Sequence, residues 1–102
     1  MSPTRTYVIK WSILSAADRN AIFEYTQANS SQAAALVDDR IRLSISKLRK
    51  SPGIGRPGRV KGTRELLIQR TPYIAAYRVY GGGVRILRIL HGAQQWPDEI
   101  SE

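Results

Sequence analysis

The stretch that most restricts the fold is Val84-Arg85-Ile86-Leu87-Arg88-Ile89-Leu90-His91. Side chains alternate between the two faces of an extended chain. Arg85, Leu87, Ile89 and His91 therefore share one face, and Val84, Ile86, Arg88 and Leu90 share the other. Aliphatic side chains stand on both. A strand with one solvated face is apolar at every second position. A run that is apolar on both faces belongs in the middle of a sheet, covered on at least one side. The rest of the chain has to supply strand neighbours and that cover.

Two neighbours lie just upstream. Residues 65–69 form an apolar run, and residues 71–80 hold three tyrosines among small and branched apolar side chains. Arg70-Thr71-Pro72 and Gly81-Gly82-Gly83 separate these runs at hairpin distance, which predicts antiparallel pairing. Residues 6–11 alternate and are rich in β-branched and aromatic side chains, so they supply a first strand.

The cover is read from residues 12–50. A first helix runs to about Ala28, with Ser15-Ala16-Ala17-Asp18 as a capping box, Leu14, Ile22 and Tyr25 facing inward and Phe23 beside them. Asn29-Ser30-Ser31 breaks it, and Ser30 or Ser31 caps a second helix reaching about Lys50. Ala34, Val37, Ile41, Ile45 and Leu48 recur at spacings of three and four, which places them on one stripe. The short connection predicts an antiparallel helical hairpin whose stripe needs a sheet face as partner. The order is β-α-α-β-β-β. It predicts one α+β domain over residues 1–102, with the N-terminal strand and helical hairpin packed on a mostly antiparallel sheet. Residues 1–5 and 98–102 are expected to fray, with Trp96-Pro97 pinning the tail.

Ser51-Pro52-Gly53 stops the second helix, and residues 53–62 form a loop with four glycines and the bases Arg56, Arg59 and Lys61. Such a loop is expected to take its order from contact with another molecule. Its glycine spacing fits no nucleotide-binding fingerprint.

The charge distribution points the same way. Residues 40–88 carry thirteen Lys or Arg and one acid, Glu65, whereas residues 1–39 carry three bases and four acids. A basic middle of this kind suits a polyanion or an acidic protein partner. The chain has no cysteine and one histidine, which excludes disulfides and thiolate chemistry and argues against a metal site or a bound cofactor. No apolar run approaches the roughly 20 residues that span a bilayer, and no signal-peptide pattern is present. A cytoplasmic location is expected.

The ordered set resembles the RelE/ParE superfamily of bacterial type II toxins. The resemblance rests on Trp11-Ser12 before Asp18…Ile22…Tyr25 and on Gly55-Arg56-Pro57-Gly58-Arg59-Val60…Gly62-Thr63-Arg64-Glu65-Leu66. Tyr77-Arg78-Val79 and Ile86-Leu87-Arg88-Ile89-Leu90-His91…Trp96-Pro97 complete it, over nearly the whole chain. It implies a growth-arresting toxin, a cognate antitoxin whose acidic C-terminal region neutralises it in a hetero-oligomer, and one of two targets. RelE-like members cut messenger RNA on the ribosome; ParE-like members poison DNA gyrase.

Metal-independent RNA cleavage requires an activated 2′-hydroxyl, a stabilised phosphorane and a protonated leaving group. The candidates are Arg64 and Arg78 for phosphate stabilisation, His91 for proton transfer and Tyr77 for stacking or positioning, with Lys47, Lys50, Arg56, Arg59 and Lys61 as contacts to RNA or another target. The lysines that the best-known RelE branch uses on the first of the three strands are replaced here by Glu65 and Leu67, so a nuclease would have to work from Arg64 and His91. The expectation leans to a ribosome-dependent mRNA endonuclease, with a gyrase inhibitor as the alternative. His91 also fits a hydrogen-bonded strand end, and Tyr73, Tyr77 and Tyr80 also fit a sheet core.

Overall fold

The long apolar run does become a central strand. In the computed structural model, which describes residues 5–100, it spans Gly83–His91 (β5). It lies between β1 (Val8–Trp11) and β4 (Tyr73–Tyr80). Beyond β4 come β3 (Arg64–Leu67) and a two-residue β2 (Arg56–Pro57), giving the order β1-β5-β4-β3-β2. β1 runs parallel to β5, and every other pair is antiparallel. β2 adds a strand to the predicted β-α-α-β-β-β order; two residues of Arg-Pro carry no periodicity by which to find it.

Strict alternation along β5 fails at one point. Ala76 pairs with Arg88 while the next residue, Tyr77, pairs with Ile86, so Leu87 is an extra residue in a β-bulge. The faces switch there. Ile89 joins Val84 and Ile86 in the larger core, and Leu87 packs instead with Ala76 and Ile100. Arg88 and Arg85 pair with Ala76 and Arg78, two residues apart on β4, so they leave the strand on the same face rather than on opposite ones.

The helical layer is α1 (Ile13–Gln27) and α2 (Ser31–Ser46), followed by short 3₁₀ turns at Lys47–Arg49 and Pro52–Ile54. The α2 stripe is as read: Ala34, Ile41, Ile45 and Leu48 are buried, with Val37 partly buried beside them. Ser30 is its N-cap, accepting from the Ala33 N–H at 3.2 Å.

α1 differs. Its cap is Ser12, one turn before the predicted box, because Ser12 leaves the sheet directly: its N–H bonds the Ile86 carbonyl and its hydroxyl bonds the Leu87 carbonyl at 2.9 Å. Ile22 is buried, but Leu14 and Tyr25 stand 44% and 71% exposed, and Phe23 is at the surface. The helix lies along the β5 edge that β1 leaves open, and its inward stripe is Ser15, Asp18, Arg19 and Ile22. Asp18 accepts the Ile89 N–H at 2.9 Å and holds Arg88 through both oxygens at 2.7 and 3.0 Å. That hydrogen bond raises the Arg88 guanidinium above its ordinary range. Arg19 in turn clasps Asp38 of α2 at 2.7 and 3.0 Å and lies over the Trp11 ring.

The second cluster gives the tail a seat. Ile100 is buried against Ala76 and Leu87, with Trp96 and Val60 beside it, so fraying does not begin at residue 98. Residues 1–4 and 101–102, also expected to fray, lie outside the described residues. Among the described residues no helix is long and apolar enough to cross a membrane.

Candidate functional site

The basic loop is ordered from within the chain. Tyr77 is fully buried at the centre of β4; its hydroxyl donates to the Pro52 carbonyl at 2.7 Å and accepts the Gly55 N–H at 2.9 Å. Only glycine fits at 55, since a Cβ there would stand 2.5 Å from the Tyr77 oxygen and 2.9 Å from the Glu65 carbonyl. Arg64 donates to the Gly55 carbonyl at 2.8 Å and, at 3.4 Å, to that of Gly53. The far end of the loop closes through Gly58 N–H to the Thr63 carbonyl at 2.7 Å and Thr63 Oγ1 to the Val60 carbonyl at 2.6 Å. An expectation of order only by contact with a partner is corrected by these bonds.

The centre of the loop is Glu65, 4% exposed. Its carboxylate accepts from the Arg59 backbone N–H at 2.8 Å, Arg59 Nε at 3.1 Å, Arg59 Nη2 at 3.3 Å and Arg56 Nη2 at 3.1 Å. Burial pushes the carboxyl up, but the Arg59 and Arg56 hydrogen bonds outweigh it and leave it below the usual range. Arg59 is also stacked 3.7 Å over the Trp96 ring, whose Nε1 donates to the His91 carbonyl at 3.2 Å. Two of the predicted target contacts, Arg56 and Arg59, are thus spent largely on an internal acid. Lys61 remains exposed, its carbonyl accepting from Arg78 Nη1 at 3.4 Å, and Lys47 and Lys50 are exposed after α2.

The proposed catalytic set does not converge. Tyr77 offers no ring face to a base, and burial raises its phenol against the pull of the Gly55 N–H, so it is a poor proton carrier. His91 pairs with Tyr73 and Arg64 with Tyr77, four residues apart on β4 and on opposite flanks of it. That separation is roughly 13 Å along the strand with two strand spacings of about 4.8 Å across it. Arg78, paired with Arg85, lies further still from His91. The His91 ring is engaged locally: Nδ1 accepts the Ala93 N–H at 3.0 Å, which puts the proton of the neutral ring on Nε2, and its edge meets the Tyr73 ring at 5.7 Å. The fold holds Arg64 and His91 apart and gives each a local partner.

The residues that sequence reasoning missed are Glu65 and Asp18, each an acid holding arginines. Glu65 carried a usable signal, being the single acid among thirteen bases.

Comparison with known proteins fits this architecture. Residues 9–96 match the family described as ParE toxin of type II toxin-antitoxin system, parDE. The chain belongs to the ParE toxin family. A relative, the Sinorhizobium fredii protein Y4kP, named as a candidate toxin, is 39% identical over 92 residues, 90% of this chain and 95% of that one. Among solved structures, the chromosomal ParDE toxin–antitoxin system of P. aeruginosa superposes with a TM-score of 0.78 at 31% identity, over 85% of this chain and 97% of that one. The RelBE2 toxin–antitoxin complex of Mycobacterium tuberculosis shares the fold alone, with a TM-score of 0.60 at 21% identity over 92% and 100% of the chains. This ParE-family toxin is therefore a member of the RelE/ParE superfamily, as its motifs suggested.

Proposed function

We propose that this ParE-family toxin arrests growth by binding DNA gyrase, without cleaving RNA, and that a cognate antitoxin encoded beside it neutralises it. The observation that carries the choice is the dispersal of the would-be catalytic side chains. Arg64 is bonded to the loop it borders, Tyr77 is sealed in the core, and His91 lies at the far end of β4 and β5. Proton transfer and phosphorane stabilisation need their groups within hydrogen-bond reach of one phosphate. Binding-type inhibition needs only a surface, and a strongly basic one suits a target that holds DNA. The match to the ParE family supports the same choice.

Ribosome-dependent cleavage is the competing mechanism, favoured by the exposed bases Lys47, Lys50 and Lys61. Two assays separate them. In purified gyrase supercoiling the toxin should block the reaction or trap cleaved DNA. In a purified translation reaction with mapped 5′ ends it should leave the message intact. New 5′ ends at ribosome-occupied codons, lost in His91→Ala, would reverse the assignment.

A further inference from the structure

Two clefts open side by side where the two helices meet the edge strand β1, and no role described so far uses them. The first, about 400 Å³, is lined by Trp11 of β1, by Ala16, Arg19, Asn20 and Phe23 of α1 and by Asp38 of α2. The α1 residues stand at i, i+3, i+4 and i+7, on one face of the helix. The second, about 270 Å³, shares Trp11 and Arg19 and adds Arg42, Ser46 and Arg49 from α2 and the turn after it. Asp38, Arg42, Ser46 and Arg49 recur every three or four residues, so one stripe of α2 runs from the first cleft to the second. Joined, they fall in the range of roughly 300–1,000 Å³ that accepts a small molecule.

Their chemistry differs. In the first, the Arg19 guanidinium is clasped by Asp38 at 2.7 and 3.0 Å and lies 5.1 Å from the centre of the Trp11 ring, which itself packs against the core. Those hydrogen bonds hold the Asp38 carboxyl below its ordinary value, so its charge stays committed to Arg19. The Arg19 side chain keeps 29% of its surface accessible. A guanidinium plane fixed in this way is a platform on which a nucleobase stacks, as on an aromatic ring. Phe23, at the surface, offers the aromatic face. Asn20 carries a donor and an acceptor side by side, the pair that reads the N6 and N7 edge of adenine. The second cleft is lined by three arginines and no acid. Arg42 gives two donors to Asp39 Oδ1, in an exposed pair that contributes little, and Arg49 is exposed. A phosphate seated there meets charge-assisted donors. A bare anion would leave the stacking slot empty, an uncharged ring would leave the arginines idle, and a phenyl ring gives Asn20 nothing to bond. A nucleotide answers all three.

We propose that the paired clefts bind an adenine nucleotide, its base against Arg19 and Phe23 with Asn20 on its edge, and its phosphate between Arg42 and Arg49. A free nucleotide and a unit of single-stranded DNA present the same chemistry. The inference goes beyond the gyrase reading and does not rest on it.

The test is an NMR titration of the ¹⁵N-labelled full chain with dAMP, deoxyadenosine, inorganic phosphate, dTMP, phosphotyrosine and a short single strand of oligo-deoxyadenylate. dAMP should move the Trp11 indole N–H, the Arg19 Nε–H and the Asn20 side-chain amide signals together. Deoxyadenosine and inorganic phosphate should each bind at least about tenfold more weakly, as should dAMP to Arg42→Gln/Arg49→Gln. Asn20→Ala should bring dAMP down to the level of dTMP. All three changed side chains are at the surface, so the thermal midpoints of both variants should match the parent's. A strand that binds tighter than dAMP identifies nucleic acid as the source, and one that binds no tighter identifies the free nucleotide; either sustains the site. Silence at these signals, phosphate binding as tightly as dAMP, an equal response to phosphotyrosine, or a response unchanged in both variants would each overturn the proposal.

Discussion

Removing the loop arginines should destabilise the fold, although the loop looks like free surface. In Arg56→Ala/Arg59→Ala, Glu65, 4% exposed in the parent chain, keeps one of its four hydrogen bonds, that from the Arg59 backbone N–H. Stranding a buried charge costs about 3–5 kcal/mol. Both arginines are roughly half exposed, with side chains 53% and 43% accessible, so part of their attraction is already screened and the lower end applies. About 3 kcal/mol in a domain of this size lowers the thermal midpoint by at least about 10 °C. Lys61→Ala, which removes an exposed amine, should stay within about 0.5 kcal/mol.

The pH dependence carries the sign that decides the cause. In the parent chain Glu65 has a carboxyl held below its ordinary value, so its contribution is present above the unfolded pKa, roughly 4.3, and lost as pH falls through the folded value. In the double variant burial acts without its counterweight, the carboxyl is pushed up, and protonation relieves the cost. The gap between the two should therefore be widest near neutrality and narrow toward about pH 4. Glu65→Gln added to the double variant should recover much of the loss at neutral pH. Thermal unfolding followed by circular dichroism at several pH values measures all of this. An unchanged midpoint in the double variant, or a gap that widens in acid, would refute the assignment of Glu65 as a buried anion held by two arginines.

Other expectations concern single contacts. Ile41→Ala, at a position with no exposed surface beneath α2, should cost about 2–5 kcal/mol in denaturant unfolding; a negligible shift would mean α2 is not seated on the sheet by this stripe. Tyr77→Phe removes the link between Pro52 and Gly55 and should cost about 1–3 kcal/mol while leaving growth arrest intact at permissive temperature. Loss of toxicity in a chain of undiminished stability would restore a direct role for that hydroxyl. Asp18→Ala strips both Arg88 and the Ile89 N–H of their acceptor and should cost about 2–4 kcal/mol, with hydrogen exchange at Ile89 accelerating more than at Val84.

How legible the chain was depends on whether apolar residues or polar ones fixed each element. β5 and α2 are set by burial of aliphatic side chains, and the stripe of Ala34, Val37, Ile41, Ile45 and Leu48 identified the buried face directly. α1 is set by polar anchors. Ser15, Asp18 and Arg19 face inward with Ile22, so a search for an apolar stripe selected Leu14 and Tyr25, which face water. The bulge at Leu87 was invisible for a related reason: a run apolar on both faces reads alike in either register, and only pairing with Ala76 and Tyr77 decides it.

The candidate site turned on partners rather than on pattern. Arginine, tyrosine and histidine were weighed as chemistry because their side chains can do chemistry. What they do here depends on a partner that sequence spacing does not give. Arg64 and Tyr77 are neighbours in register, yet both serve the loop: one bonds the Gly55 carbonyl and the other its N–H. Glu65 stands where the nuclease branch would have a lysine, and it turns the flanking arginines inward. A lysine there would leave Arg56 and Arg59 to repel a third cation and free them for a phosphate. A single acid at that position converts the same basic loop into a closed structural element. On this argument Glu65→Lys should not install nuclease activity on its own, because it opens the loop while Tyr77 stays buried and His91 remains at the far end of β4.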